Sequence, residues 1–244
     1  MKVINDLLNY NGLKIIQNPQ WFSFSLDSVL LANFVRVSNK MKIIDFCTGN
    51  APIPLFLSTK TNSPIIGLEL QKEVYDLALE SVLINDLQDQ IKILNLDVDD
   101  VDKIYDTDTF DLITCNPPYF KVCEHSNIND NKTKAVARHE IRINLETIFN
   151  KAKKILKNNG KIAMVHRTDR LIDIIYLMRN NNIEPKRLRF VYPFKDSESN
   201  LVLIEGAKNG KPGFKIEPGL VIHNGDGKYT KEIENIFNGG KDEN

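Results

Sequence analysis

Residues 42–52, KIIDFCTGNAP, decide how the rest of this chain is read. Lys42 to Phe46 is a short apolar run of strand character. Gly49 permits a tight turn and close approach of backbone to a ligand. A helix over 52–60 follows, whose first turn is expected to present free N–H groups. The same unit recurs downstream. Strand-like runs stand at 64–70, 91–97, 110–115, 161–166, 189–194 and 200–206, with helical stretches at 71–86, 144–158 and 169–181. In the last helix Leu171, Ile174, Ile175 and Met178 fall at helical spacing, and Asn158-Asn159-Gly160 is expected to stop the one before it. Short apolar runs alternating with helices predict an α/β fold: a doubly wound, mostly parallel, seven-stranded, Rossmann-like sheet with helices on both faces.

In such a sheet ligands bind beyond the carboxyl ends of the strands, so the strand tips carry the chemistry. The first tip is Asp45-Phe46-Cys47-Thr48-Gly49-Asn50-Ala51. It lacks the G-x-G-x-x-G fingerprint, which weakens a pyrophosphate-binding reading. The second tip ends in Glu69-Leu70, with Glu69 twenty residues past Gly49, a spacing suited to an acid that accepts from ribose hydroxyls. The third is Asn95-Leu96-Asp97-Val98, whose Asp97 can accept from an adenine amino group. The fourth is Asn116-Pro117-Pro118-Tyr119. Two prolines fix φ and remove two donors, leaving a stiff chain with outward carbonyls. The Asn116 amide adds an acceptor and Tyr119 a stacking ring, a combination that suits a flat group bearing an NH2. Singly, each tip has an ordinary structural reading: a turn glycine, a helix-capping Glu, a proline-rich strand end. Together on four successive strands they point to one site.

The remaining features bound the function. The chain has 244 residues, 42% hydrophobic and 26% charged, with no apolar run near the roughly 20 residues that span a bilayer. The first residues, MKVINDLLNYNG, are too polar for a signal peptide, so a cytoplasmic location is expected. Cys47, Cys115 and Cys123 form no C-x-x-C pair, and no metal site is expected. Net charge is zero, but residues 86–111 are acid-rich and 151–189 base-rich, a flank that a polyanion-binding enzyme could use. Residues 1–40 read as a hairpin over 13–25, turning at Asn18-Pro19 with Trp21, Ser23 and Ser25 alternating against Phe22 and Phe24. A helix capped by Ser25 or Asp27 follows. Residues 41–207 form the main domain and 208–244 an extension with a hairpin at Asn224-Gly225 and a helix near Thr230–Phe237, all within one compact unit. The polar segment 120–138 reads as a long loop.

Over about residues 24–206 the chain resembles class I S-adenosylmethionine-dependent methyltransferases of the amino-methylating kind. The resemblance implies that Asp45, Cys47, Thr48, Gly49 and Asn50 hold the methionine end of S-adenosylmethionine, Glu69 and Leu70 the ribose, and Asp97 and Val98 the adenine. Asn116 would touch both cofactor and acceptor. The family turn usually has Gly where this chain has Cys47, and often where it has Ala51. FSFSLDSVLLANF (22–34), NPPY, ARHE (137–140), RTDRL (167–171) and PKRLRFVYP (185–193) look like the bacterial tRNA1(Val) (adenine-37-N6)-methyltransferase family. That likeness implies a tRNA partner, with Asn116, Pro117 and Tyr119 catalytic. It also implies substrate contacts from Pro118, Tyr119, Phe120, Arg138, His139, Arg167, Arg170, Lys186, Arg187 and Arg189, in a monomer or weak dimer. Release-factor glutamine-N5 methyltransferases and rRNA guanine-N2 methyltransferases also resemble the tetrapeptide. The former carry a helical domain ahead of the turn, and the latter more typically have Phe in its fourth position. A nucleic-acid-binding protein with a vestigial cofactor fold is the non-enzyme alternative.

Overall fold

The computed structural model describes residues 2–9, 12–18, 25–118 and 144–239. It opens on an antiparallel hairpin of β1 (Val3–Asp6) and β2 (Lys14–Gln17). The expected strand over 14–17 forms and pairs with the segment upstream of it, while the segment expected across Asn18-Pro19 lies outside the described residues. The other edge of β2 meets a helix. Ile16 N–H donates to Ser81 Oγ at 3.0 Å, and the Asn85 amide bonds both Lys14 N–H and Lys14 C=O. Trp21, Phe22, Ser23 and Phe24 lie outside the described residues. The first helix, α1 (Leu26–Phe34), is buried along most of its length, and Ser25 caps it through backbone geometry without a side-chain bond.

The sheet then builds outward and returns. β3 (Ile43–Phe46), α2 (Pro52–Ser58), β4 (Ile65–Glu69), α3 (Lys72–Leu83) and β5 (Ile91–Asn95) step to one edge. The chain crosses back through β6 (Phe110–Cys115), α4 (Leu145–Ile155), β7 (Leu156–Arg167), α5 (Leu171–Asn180), β8 (Ile183–Phe194) and β9 (Leu201–Lys208). The spatial order is β5-β4-β3-β6-β7-β9-β8, with β9 antiparallel to both neighbours and the other pairs parallel. The direction of winding therefore reverses between β3 and β6, which opens a crevice at their carboxyl ends. Alternation within a strand loads both faces. Ile43 packs with α1, α2 and α3, while Ile44 and Phe46 pack with α4 and α5.

All seven expected core strands are present, and the tail adds two more. β10 (Lys215–Ile216) and β11 (Leu220–His223) both pair in parallel with β8, giving a nine-stranded sheet. The expected hairpin at Asn224-Gly225 shrinks to one bridge, His223 to Tyr229, closed by Asn224 N–H to Lys228 C=O at 2.8 Å. The last helix, α6 (Lys231–Phe237), starts at Thr230 as expected. Asn158-Asn159-Gly160 does not end α4, which stops at Ile155. Leu156 already pairs with Phe110, and the next pair is Leu112 with Lys161, so the Asn-Gly turn makes a bulge inside β7. Asn159 takes φ +62, and a Cβ on Gly160 would lie 2.9 Å from the Phe110 carbonyl oxygen.

The charge asymmetry of the sequence closes on itself. Lys151 and Lys154 both bond Asp102, at 2.8 and 2.6 Å, while Lys157 bonds Asp111 at 2.8 Å and Lys208 bonds Asp108 at 2.9 Å. Three lysines of the base-rich flank are thus matched to the acid-rich segment.

Candidate active site

The turn after β3 holds three left-handed residues in five: Cys47 at φ +57, Gly49 at +60 and Ala51 at +70. An L-residue costs about 1–2 kcal/mol there, so the turn must be held. Thr48 N–H donates to Leu68 C=O at 2.8 Å, and Gly49 N–H donates to Glu69 Oε2 at 3.0 Å. Asn50 is fully buried and donates through Nδ2 to Ile16 C=O at 2.8 Å, which ties the turn to the N-terminal hairpin. The two positions where glycine is usual among look-alike turns are thus the strained ones. Ala51 is fully buried, so Ala51→Gly loses one methyl, worth about 0.8 kcal/mol, against a similar relief of strain. Thermal unfolding should show Ala51→Gly within about 1 kcal/mol of the parent. Ala51→Val should fall by more than about 2 kcal/mol, because a branched side chain tolerates positive φ least.

The expected row of free donors at the start of α2 is depleted, because Pro52 and Pro54 carry no N–H. Unmet polar atoms lie deeper instead. Asp45 Oδ2, Thr48 Oγ1 and Asn50 Oδ1 are buried without a hydrogen-bond partner among the described residues. Asp45 is fully buried, and its Oδ1 accepts from the Thr114 hydroxyl at 2.5 Å. Burial pushes its carboxyl up from 3.8 to about 7. Thr114, and Thr48 facing it just short of hydrogen-bond geometry, pull the other way, and the Glu69 charge adds to the rise. A raised folded pKa means that the folded state binds the proton more tightly. Asp45 therefore stabilises most below about pH 3.8 and loses that contribution as pH rises to about 7. Relative to Asp45→Asn, the parent should lose stability across that window and then level off, as measured by urea unfolding at a series of pH values. A flat difference would contradict the buried acid.

Glu69 is buried at the end of β4, and burial raises its pKa. Its Oε1 accepts from Gln71 N–H at 2.9 Å while Oε2 holds Gly49. Each carboxylate oxygen keeps a further lone pair for a hydroxyl donor. Asn95, a residue whose role is not evident from its position before Asp97, clamps this tip. Its Nδ2 donates to both Glu69 C=O and Leu70 C=O at 2.9 Å. Asp97 is half-buried and caps the short 3-10 helix Val98–Lys103, accepting from Asp99 N–H at 2.9 Å. Val98 is buried beside it and Leu70 half-buried.

Asn116 emerges from β6 next to the glycine turn, since Phe46 and Cys115 are register partners. Pro117 is buried and Pro118 exposed, so the diproline leaves the sheet at a fixed depth. Asn116 Nδ2 donates to Ser28 Oγ at 3.1 Å. Sequence reasoning did not single out Ser28. The signal lay within FSFSLDSVLLANF, as a polar residue on an otherwise buried helix. Tyr119, Phe120, Arg138 and His139 lie outside the described residues.

The five described cations split. Arg167 is exposed, with Asp169 at 3.9 Å, and Arg170 bonds Asp173 at 2.7 Å. Lys186 donates to Lys211 C=O at 2.8 Å. Arg187 is a correction. It is buried, with NH2 donating to Phe34 C=O at 2.6 Å and Glu205 at 3.3 Å, NH1 to Glu217 at 3.2 Å, and its guanidinium 3.9 Å from the Phe34 ring centroid. Arg189 is bonded to Glu232 at 2.6 Å and to Pro218 C=O at 2.9 Å. These two bind the tail and α1 to the sheet, and of the two Arg187 is the buried one. His166 is buried, and its pKa is lowered to about 4, by burial first and then by Arg170. It is neutral near pH 7.

Among the described residues no helix is long and apolar enough to cross a membrane, and no group of three or more His, Cys, Asp or Glu could hold a metal ion. The methyltransferase small-domain family model matches residues 13–174. A Tolumonas auensis protein named tRNA1(Val) (adenine(37)-N6)-methyltransferase is 26% identical over 217 residues, covering 85% of this chain and 84% of its own length. A Porphyromonas gingivalis protein of the same name is 25% identical over 236 residues, covering 93% and 91%. The crystal structure of a predicted O-methyltransferase, protein Atu636 from Agrobacterium tumefaciens, matches with a TM-score of 0.70 at 18% identity, over 88% of this chain and 96% of that one. That likeness establishes a shared fold.

Proposed function

The chain belongs to the methyltransferase small-domain family, and from that premise we propose that it uses S-adenosylmethionine to methylate N6 of an adenine in tRNA. The target in this reading is position 37, beside the anticodon of tRNA1(Val). The observation that carries it is the adjacency of two parts at the winding reversal. One is an acid-lined glycine turn, and the other a diproline strand end bearing Asn116. The names and near-full coverage of the two tRNA-modifying relatives support the choice of substrate.

The turn fits the cofactor chemically. Its buried unmet oxygens suit a cationic or hydroxyl-bearing ligand, and the proline-opened helix suits one without phosphate. Asp45, Cys47, Thr48, Gly49 and Asn50 would hold the amino-acid end, Glu69 and Leu70 the ribose hydroxyls, and Asp97 and Val98 the adenine. A bound ammonium would also favour ionised Asp45, which desolvation alone disfavours. When bound, S-adenosylmethionine supplies an electrophilic methyl group on a positively charged sulfur.

The chain's own residues supply position and polarity. An exocyclic adenine nitrogen is a weak nucleophile because its lone pair is spread into the ring. Asn116 Oδ1 and Pro117 C=O accept its two N–H bonds and turn the lone pair toward the donor. As the nitrogen becomes tetrahedral and cationic these bonds strengthen, so they stabilise the transition state more than the bound substrate, and the surplus proton is then lost to solvent. Tyr119 and Phe120 would stack on the base, splayed from its loop as RNA-modifying enzymes require. Pro118 extends the rigid platform, and Arg138, His139, Arg167, Arg170, Lys186 and Arg189 are the remaining candidate contacts to RNA. Mass spectrometry of tRNA nucleosides from cells with and without the gene tests the reading. It predicts loss of N6-methyladenosine from one valine tRNA. Unchanged tRNA with altered rRNA guanine or protein glutamine methylation would overturn it.

A further inference from the structure

We propose that Ser28 is a positioning residue for methyl transfer, setting which end of the Asn116 amide faces the acceptor amine. The inference rests on the amine-acceptor reading given above. An Asn side chain has a donating pole, Nδ2, and an accepting pole, Oδ1. An amine that must shed N–H bonds into the clamp needs the accepting pole. If the amide turned over, donor would face donor and the clamp would repel its substrate. The backbone of β6 and the two prolines fix where the side chain stands, but not which pole is outward. Ser28 makes that choice. Its Oγ takes the Nδ2 donor at 3.1 Å, and Ser28 itself is only 2% exposed. Its N–H bonds Ser25 C=O at 3.2 Å in the first turn of α1. That helix is seated by Val29, Leu30 and Leu31, each no more than 2% exposed. With Nδ2 committed, Oδ1 is the accepting pole that remains for the amine, and one of its two lone pairs can serve it even where another contact uses the other.

A second link runs from the same N-terminal region to the cofactor side. Asn50 Nδ2 donates to Ile16 C=O at 2.8 Å, so β2 and α1 each hold one polar side chain of the site. The N-terminal hairpin and helix are therefore parts of the active site. Each one orients an amide that the sheet alone would leave free to flip.

Steady-state methylation of unmodified tRNA by the full-length Ser28→Ala protein tests this. The expected result is a roughly tenfold lower kcat, the worth of one net hydrogen bond, with KM for tRNA, S-adenosylmethionine affinity and Tm near the parent's. Ser28→Thr, which keeps the hydroxyl, should restore most of kcat. In an Asn116→Ala background, Ser28→Ala should add nothing further. Parent kcat in Ser28→Ala beside an inactive Asn116→Ala overturns the positioning role and leaves the clamp standing. Parent activity in Asn116→Ala itself overturns the amine-clamp reading. If Ser28→Ala lowers Tm and cofactor affinity in step with kcat, and Thr fails to rescue, the role is structural and the proposal fails.

Discussion

Asn116→Ala should lower methyl transfer by about 100- to 1,000-fold, the loss seen when one preorganised transition-state partner is removed. S-adenosylmethionine affinity should stay within a few-fold of the parent's. The separation follows from where the proposed cofactor contacts sit. Asp45, Thr48, Gly49, Asn50 and Glu69 belong to β3, β4 and the turn between β3 and α2, where Gly49 N–H is held by Glu69. Asn116 stands at the next strand and is anchored to α1 through Ser28. Removing its amide takes away the acceptor that orients the amine, while the turn keeps its own hydrogen bonds. Isothermal titration with S-adenosylmethionine and single-turnover methylation of tRNA separate the two effects. Equal loss of both would show that Asn116 acts through the cofactor site.

Arg187→Ala is expected to cost about 3 kcal/mol of stability, toward the lower end for breaking a buried ion pair. Four contacts converge on its guanidinium: Glu205, Glu217, the Phe34 carbonyl and the Phe34 ring. Glu205 keeps a second partner in Lys161 at 3.0 Å, which moderates the loss. Glu217 sits near Arg36 at only 4.0 Å. For a chain of this size the change corresponds to a drop of roughly 6–12 °C in Tm. Arg187→Lys should recover little, because a single ammonium cannot span two carboxylates and a carbonyl. RNA affinity of the folded variant should match the parent's. An unshifted Tm with weakened RNA binding would return Arg187 to the substrate surface.

The contrast between these two residues shows what the sequence could carry. The position of Asn116 was legible because its signal is local: an apolar run followed by two prolines marks a strand end, and β6 does end at Cys115 just before it. The seven core strands were legible for the same reason, since each is a short apolar run between turn residues. Arg187 was not, because it sits in a basic run and its partners lie 18 and 30 residues away. Nothing in the run distinguishes a buried guanidinium from a solvated one. Lys151, Lys154 and Lys157 repeat the lesson, for their aspartates come from the other charged block. The apolar run KIIQ specifies a strand but not its partner, which for β2 includes the upstream β1, with α3 against the other edge. Asn158-Asn159-Gly160, expected to stop a helix, does form a turn, with Asn159 at φ +62. Whether that turn ends a helix or bulges a strand depended on Phe110, about 50 residues earlier.

The central claim is that the diproline clamp presents an adenine N6 amine for methylation. Its most direct test uses purified protein, unmodified tRNA1(Val) transcript and methyl-labelled S-adenosylmethionine, followed by nuclease digestion and mass spectrometry of the nucleosides. The account predicts label in N6-methyladenosine at position 37, abolished when adenine 37 is replaced by guanine and when Asn116 is replaced by alanine. Label on a guanine N2, label that persists without adenine 37, or cofactor binding with no transfer to tRNA would contradict it.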